Sequence, residues 1–285
     1  MLWAKFNINI FIMPDFNHQN VSNITFIDLV GAGVTQFLKG QLTINTDFVE
    51  NKTAKLAALC NHKGRIISLF HIVAIKDGFR LIMPRSIVEA SLAHIKKYAV
   101  FFKLEVISFD NSNILALIGS KEHIADGISI AQTNIRVIFR VSGDGDGYTA
   151  MDDSFWYWHL IENGIPWLTA ETVEQFLPHS LNLPKLGAID FNKGCFTGQE
   201  VIARMQYKGK LKQHLQTLST SNMAVIPPLS SVEQSSRKVG QIVCSAVLHD
   251  KGQRVLAVVK DSANSDKDFQ LNLENTSILD LEIIP

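Results

Sequence analysis

The chain has 285 residues, 46% of them hydrophobic, and its 27 Lys+Arg balance 27 Asp+Glu. That length predicts about two domains, or three small ones, with a core needing no disulfide or metal staple, and the apolar fraction excludes wholesale disorder. Zero net charge argues against a general nucleic-acid coat, stable DNA binding and a polybasic membrane binder.

The N-terminal arm, residues 1–20, is the least informative part. Its apolar segment Phe6–Met13 is interrupted by Asn7 and Asn9 and lacks a small-residue cleavage site, so it reads as a strand or loose arm rather than a signal peptide. The first ordered unit is expected near Ile24. Ile24–Val30 reads as a strand, and Gly31-Ala-Gly33 turns the chain into a short helix, Val34–Leu38. A dinucleotide fingerprint fails there, because its third glycine position holds Gln36. Lys55–Cys60 and Arg65–Ile75 are strands flanking Asn61-His62-Lys63-Gly64, a hairpin loop, and Phe79–Met83 is a third strand. The apolar run Ile66–Ile75 is about half the length a membrane-spanning helix needs.

Pro84-Arg85-Ser86 opens a helix through Ala99, with Ser86 and Glu89 spaced as a capping box. Strands are expected at Lys103–Ser108 and Ile114–Ile118, a helix at Lys121–Ala131 and a strand at Asn134–Val141. This mixture predicts an α+β, ferredoxin-like arrangement. The Gly143–Gly147 run reads as a solvated turn. A calcium loop needs Glu where Phe155 stands. A helix runs from Asp153 to Asn163, with Gly164 as its left-handed cap and Pro166 beyond. After Arg204 the pattern becomes all-β, with strands at His214–Thr220, Lys238–Leu248, Gln253–Lys260 and Ser277–Ile284, plausibly a small barrel. Ser219–Ser236 reads as a loop or linker inside it.

Three features carry chemistry. The first is Lys193-Gly-Cys-Phe-Thr-Gly-Gln-Glu200. Thr197 and Glu200 have capping-box spacing, so a helix should start near Gly198, placing Cys195 just before a helix N-terminus. The helix dipole and Lys193 would both favour thiolate over thiol, against the plain alternative of a buried small cysteine. The second is the stretch Lys185–Lys212, with six Lys/Arg against two Asp/Glu, including Arg204 and the interleaved Tyr207. It is either a solvated edge or a cradle for an anionic ligand or an RNA backbone. The third is Trp156-Tyr157-Trp158. Three consecutive large aromatics cannot share one helix face, so at least one should meet a groove, another domain or a ligand. Glu162, at the negative end of that helix, is either a binding group or a surface residue. The three cysteines, Cys60, Cys195 and Cys244, include no CxxC, which argues against a zinc or iron–sulfur ligand set within this chain and fits a reducing compartment.

The octapeptide KGCFTGQE, with Ala203-Arg204 and Gly209, resembles the signature of the YgfZ family. Phe37–Thr43, Leu56–Cys60 with Lys63-Gly64-Arg65, Lys96–Phe101, Ile161–Pro166 and Gly240–Val243 extend that resemblance over residues 24–285. The resemblance implies a fold like that of the aminomethyltransferase (T-protein) of the glycine cleavage system, three domains ringing a central opening. The domains would be 20–48 with 120–208, 49–119, and a C-terminal barrel, 209–285. It further implies a tetrahydrofolate-binding, cytoplasmic accessory protein that supports assembly or repair of iron–sulfur clusters in client enzymes, tRNA-modifying ones included. Trp156 matches a folate-contacting tryptophan, Glu162 the pterin-holding glutamate and Cys195 the signature thiol. Lys193 and Arg204 would meet the anionic tail. A second folate-contacting tryptophan would fall near Ile24, and a usual Asp in the early turn falls at Gly33. The carboxylate pair of T-proteins falls at Ser68 and Leu69, which cannot ionise at neutral pH. An independent aminomethyltransferase is therefore the weaker reading, with an RNA-binding module a third.

Overall fold

The computed structural model describes residues 17–21, 23–108, 112–118, 128–131, 133, 135–141, 154–248, 252–263, 269–271 and 279–283. The strands are β1 (Asn17–Val21), β2 (Ile24–Val30), β3 (Thr53–Cys60), β4 (Ile66–Ile75), β5 (Gly78–Pro84), β6 (Glu105–Ser108), β7 (Ser112–Ile118), β8 (Ile128–Ile130) and β9 (Ile135–Val141). Among the described residues these nine form one sheet in the order β1-β7-β9-β8-β3-β4-β5-β2-β6. Its pairs are antiparallel except β3 with β8, which run parallel. In the centre, β4 is buried along its first eight residues, as a strand covered on both faces should be.

Helices α1 (Val34–Gln41), α2 (Val88–Ala99) and α3 (Ser154–Glu162) cover the sheet. α2 packs on β4, where Ser91 Oγ donates to Ser68 Oγ at 2.7 Å. α3 lies toward the opposite side, with Trp156 and Leu160 near Leu69 and His71. It also packs on the barrel strands β12 (Arg237–Leu248) and β13 (Gly252–Lys260). Thus α3 is buried on both flanks. Trp156 and Trp158 are each 1% exposed, and Arg254 sits 5.0 Å over the Trp158 ring. The aromatic triplet resolves accordingly: Trp156 serves the sheet side, Trp158 the barrel side, and half-buried Tyr157 stacks at 4.2 Å on Trp167.

The barrel closes in the order β10-β13-β12-β11-β14-β15, with β10 (Gln213–Thr220), β11 (Ser231–Gln234), β14 (Phe269–Leu271) and β15 (Leu279–Ile283). Period-two alternation, broken by a bulge between Ile242 and Cys244, divides its residues. Leu218, Ile242, Val255, Ala257 and Leu281 fill the interior, whereas Leu215, Val243, Cys244 and Leu256 join the main core outside it.

Several expectations need correction. Ordered structure begins before Ile24, because β1 pairs with β7. Ile128–Ile130, read as the end of a helix, is a strand; the rest of that helix, 121–127, lies outside the described residues, as do the Gly143–Gly147 run and residues 1–16. The Ser219–Ser236 stretch contains β11. Neither capping box forms. A 3-10 turn over Arg85–Ile87 makes Ile87 the N-cap of α2, and Gly198 caps α4 (Gln199–Lys208), both without a side-chain cap bond. Among the described residues no helix is long and apolar enough to cross a membrane.

Candidate functional site

Two cavities bear on function. The first is a cleft of about 240 Å³ lined by Lys39, Gly40, Asn45, Asp47, Lys193, Gly194 and Cys195. It exists because the 188–199 segment is stitched to the end of α1. Thr43 Oγ1 donates to Ala188 O at 2.7 Å, Asp190 N to Thr43 O at 2.9 Å and Thr197 N to Gly40 O at 3.1 Å. Lys193 Nζ donates to the carbonyls of Lys39 (2.8 Å) and Leu42 (2.6 Å). A cation at a helix C-terminus satisfies orphan carbonyls and complements the dipole. Burial nevertheless lowers the Lys193 pKa to about 8. Across the mouth, Lys39 pairs with Asp47 at 2.8 Å, both half exposed.

Cys195 is exposed in this cleft. It sits four residues before α4, as the Thr197-Gly198 turn suggested, but the turn closes differently. Gln199 Oε1 accepts from Phe196 N at 3.1 Å. Gly198 adopts φ +84°, and a Cβ there would lie 2.5 Å from Asn61 O, so only glycine fits. Behind the turn, Gln41 Oε1 accepts from Thr197 Oγ1 at 3.4 Å and bonds His94 Nε2 at 2.9 Å. A polar chain thus ties α2 to the cysteine loop. Burial lowers the His94 pKa, with Lys97 adding to the shift and Glu174 opposing it.

The other two thiols are unlike Cys195. Cys60 (0% exposed) and Cys244 (3%) are buried, and burial raises both pKa values, that of Cys244 to about 12.

The second cavity lies between the sheet and α3. Ile24, Leu69, Phe70, His71, Trp156, Tyr157 and Trp167 are among its walls. It holds about 20 Å³, room for about one water molecule. Two buried nitrogens in these walls, His71 Nε2 and Trp156 Nε1, have no hydrogen-bond partner. Other buried polar atoms among the described residues are also unpartnered, Trp158 Nε1 and both His179 nitrogens included, but these two border the cavity. Burial drives the His71 pKa down to about 4, so its imidazole is neutral at pH 7. Aromatic faces, one indole N–H and one neutral imidazole suit a flat heteroaromatic ring, which enters only if the walls part.

The structure therefore brings Lys193 and Cys195 together in the cleft and places Trp156 in the aromatic cavity, where Ile24 and Leu69 also lie. Glu162 and Arg204 line neither cavity. Glu162 is exposed, with Oε2 3.3 Å from His159 Nδ1, and Arg204 is exposed on α4. Sequence reasoning gave no role to His71, Tyr157 as a stacking partner of Trp167, or the Asn45-Asp47 wall. Gln41 and Lys39 lay within the FLKGQLT segment that carried the resemblance, which is the signal that could have found them.

The nine-stranded sheet, the helices on it and the closed barrel make this an aminomethyltransferase-type fold. The crystal structure of glycine cleavage system aminomethyltransferase T from Bartonella henselae matches with a TM-score of 0.65, covering 95% of this chain and 85% of that one, at 13% identity. At that identity the likeness speaks for the fold alone. In sequence, the chain is similar to the tRNA-modifying protein YgfZ of Vibrio atlanticus, 27% identical over 300 residues, 96% of this chain and 93% of the relative. The tRNA-modifying protein YgfZ of Colwellia psychrerythraea is 28% identical over 80% of this chain and 78% of its own. No family model matches the chain. The resemblance first read from KGCFTGQE thus extends across nearly the whole chain.

Proposed function

We propose that this protein binds a reduced folate in the aromatic cavity and serves as an accessory protein for iron–sulfur clusters in client enzymes, including enzymes of tRNA modification. The observation that carries this reading is the pair of unpartnered buried nitrogens, His71 Nε2 and Trp156 Nε1, in an aromatic-walled cavity of this fold. Trp156 supplies a wall for the ring. Glu162, at the end of the same helix, lines neither cavity, so it would accept two N–H bonds from the polar edge of a pterin only once the walls have parted; Lys193, in the other cleft, and Arg204, on α4, are the cations assigned to an anionic tail. Cys195 is the accessible thiol that faces clients. Its cleft holds no built-in cluster motif: among the described residues no group of three His, Cys, Asp or Glu could hold a metal. Aminomethyl transfer by the T-protein route is disfavoured by the acid-free position. Ser68 is fully buried against Ser91, and Leu69 gives the cavity an aliphatic wall.

The test is titration of the intact chain with tetrahydrofolate, followed by tryptophan fluorescence. Saturable quenching is expected. Stacking a heteroaromatic ring on an aromatic is worth about 1–3 kcal/mol, so Trp156→Ala should weaken binding roughly 5- to 150-fold. A titration with no saturable change, or one untouched by the substitution, rejects the cavity as the folate site. In cells lacking the parent protein, Cys195→Ser should fold yet fail to restore iron–sulfur enzyme activity; full rescue rejects the thiol's role.

A further inference from the structure

Helix α4 carries a cationic strip of which the folate reading uses only Arg204. Its sequence has a single carboxylate, Glu200, against Arg204 and Lys208, and Lys210 follows in the chain. Arg204, Tyr207 and Lys208 stand at i, i+3 and i+4 and so share one face; all three are exposed. Tyr207 is the notable member: it is 70% exposed, yet an edge contact with Phe191, centroids 6.1 Å apart, fixes its ring. Its exposed face is free to stack a flat ring.

A second basic element is built against the same helix. The β3–β4 hairpin loop reaches α4 because two glycines permit it. A Cβ on Gly64 would meet the Val201 side chain at 3.1 Å, and one on Gly198 would meet Asn61 O at 2.5 Å. Both glycines have positive φ, +72° and +84°. This packing sets exposed His62 and Lys63 beside the start of α4. Cations on two elements and a fixed exposed ring therefore flank the turn that presents Cys195.

We propose that this strip, Lys63, Arg204, Tyr207, Lys208 and Lys210, docks an RNA strand, its phosphates on the cations and one unpaired base on Tyr207, and that the RNA is tRNA. The choice of a nucleic-acid strand follows from charge complementarity and the stacking platform; the choice of RNA, and of tRNA, rests on the function proposed above. Zero overall charge does not oppose this, because a local strip confers local contact without a general affinity for polyanions. The assignment differs from a client-protein surface in one respect: its strength must fall with salt in proportion to the phosphates contacted.

The experiment is fluorescence anisotropy of a labelled tRNA transcript titrated with the full chain between about 50 and 200 mM salt. Lys63→Gln/Lys208→Gln should lower the magnitude of the slope of log K against log salt by about 1.4 to 1.8, on the basis of about 0.7–0.9 per phosphate contact. Tyr207→Ala should weaken binding roughly 5- to 150-fold, the range for one lost base stack. Each variant is also titrated with tetrahydrofolate. The expected result is weakened tRNA binding with folate binding unchanged. No measurable tRNA binding by the parent, a slope and affinity unchanged in the variants, or equal binding to a DNA hairpin of the same sequence would overturn the proposal. Failure of folate binding in the parent would instead count against the function on which the choice of tRNA rests.

Discussion

The cysteine cleft and the aromatic cavity are built on opposite principles. The cleft is open, about 240 Å³, walled by lysines, amides and backbone, and held by hydrogen bonds between α1 and the 188–199 segment. The cavity is narrow, about 20 Å³, and walled by rings and aliphatic side chains, with two polar atoms unpartnered. An open polar cleft with a thiol at its rim is accessible to other molecules without moving. A narrow apolar cavity of this volume admits a ring-sized guest only by rearranging. The difference teaches that accessibility and recognition are divided between two places in this fold.

The largest expected contrast is in thiol labelling. Cys195 should react with iodoacetamide in the native protein, whereas Cys60 and Cys244 wait for unfolding, which native proteins visit with probability about 10⁻³ or less. Their labelling should be at least about 1000-fold slower, measured by mass spectrometry of timed digests. Comparable rates at all three positions would remove the distinction between an open cleft and a sealed core.

Trp156→Ala should cost about 3–5 kcal/mol, because it empties a fully buried site, while Cys195→Ser at an exposed position should change stability by less than about 0.5 kcal/mol. Urea unfolding checks both. A mild Trp156→Ala effect would show that the cavity walls already collapse freely.

Acid titration sharpens the same contrast. The folded His71 pKa, about 4, lies below its ordinary value of 6.5, so as pH falls the unfolded chain takes up the proton first. Stability that is fully present above pH 6.5 should drain as pH falls through 4. The full effect is roughly 3 kcal/mol. His71→Phe should flatten that acid limb, and an unchanged limb would place the imidazole in contact with water. The smallest effect is expected at Glu162→Gln. Its exposed pairing with His159 is worth at most about 1 kcal/mol to folding, so any loss of folate affinity in this variant would report on binding alone.

Much of the fold was legible because it is written in local chemistry. Gly31-Ala-Gly33 ends β2 and opens α1, Asn61–Gly64 turns β3 into β4, and Gly164, at φ +65°, ends the α3 region where a left-handed cap was expected. The barrel strands showed through their alternation. What stayed hidden depends on distant partners. Ile128–Ile130 becomes a strand because β3 and β9 flank it, not through its own pattern. Ser231–Gln234 looks like linker until β12 and β14 pair with it. The capping boxes failed for a different reason. Ser-x-x-Glu and Thr-x-x-Glu spacing states that two side chains could bond across a helix start, but not which residue takes the cap geometry. A 3-10 turn and a left-handed glycine decided that. At the candidate site, Cys195 with Lys193 was readable from one octapeptide, whereas His71 and Trp167 reach Trp156 only through the tertiary fold.

Helix α3 has one more consequence. With Trp156 against the sheet and Trp158 under Arg254 on the barrel, it has no idle side on which to absorb a push. A guest that wedges Trp156 away from β4 displaces the helix as a rigid rod, and Trp158 travels with it. Occupancy of the cavity would then be transmitted as a change in strain at the barrel, turning a narrow pocket into a mechanical sensor whose output appears on the far side of the helix.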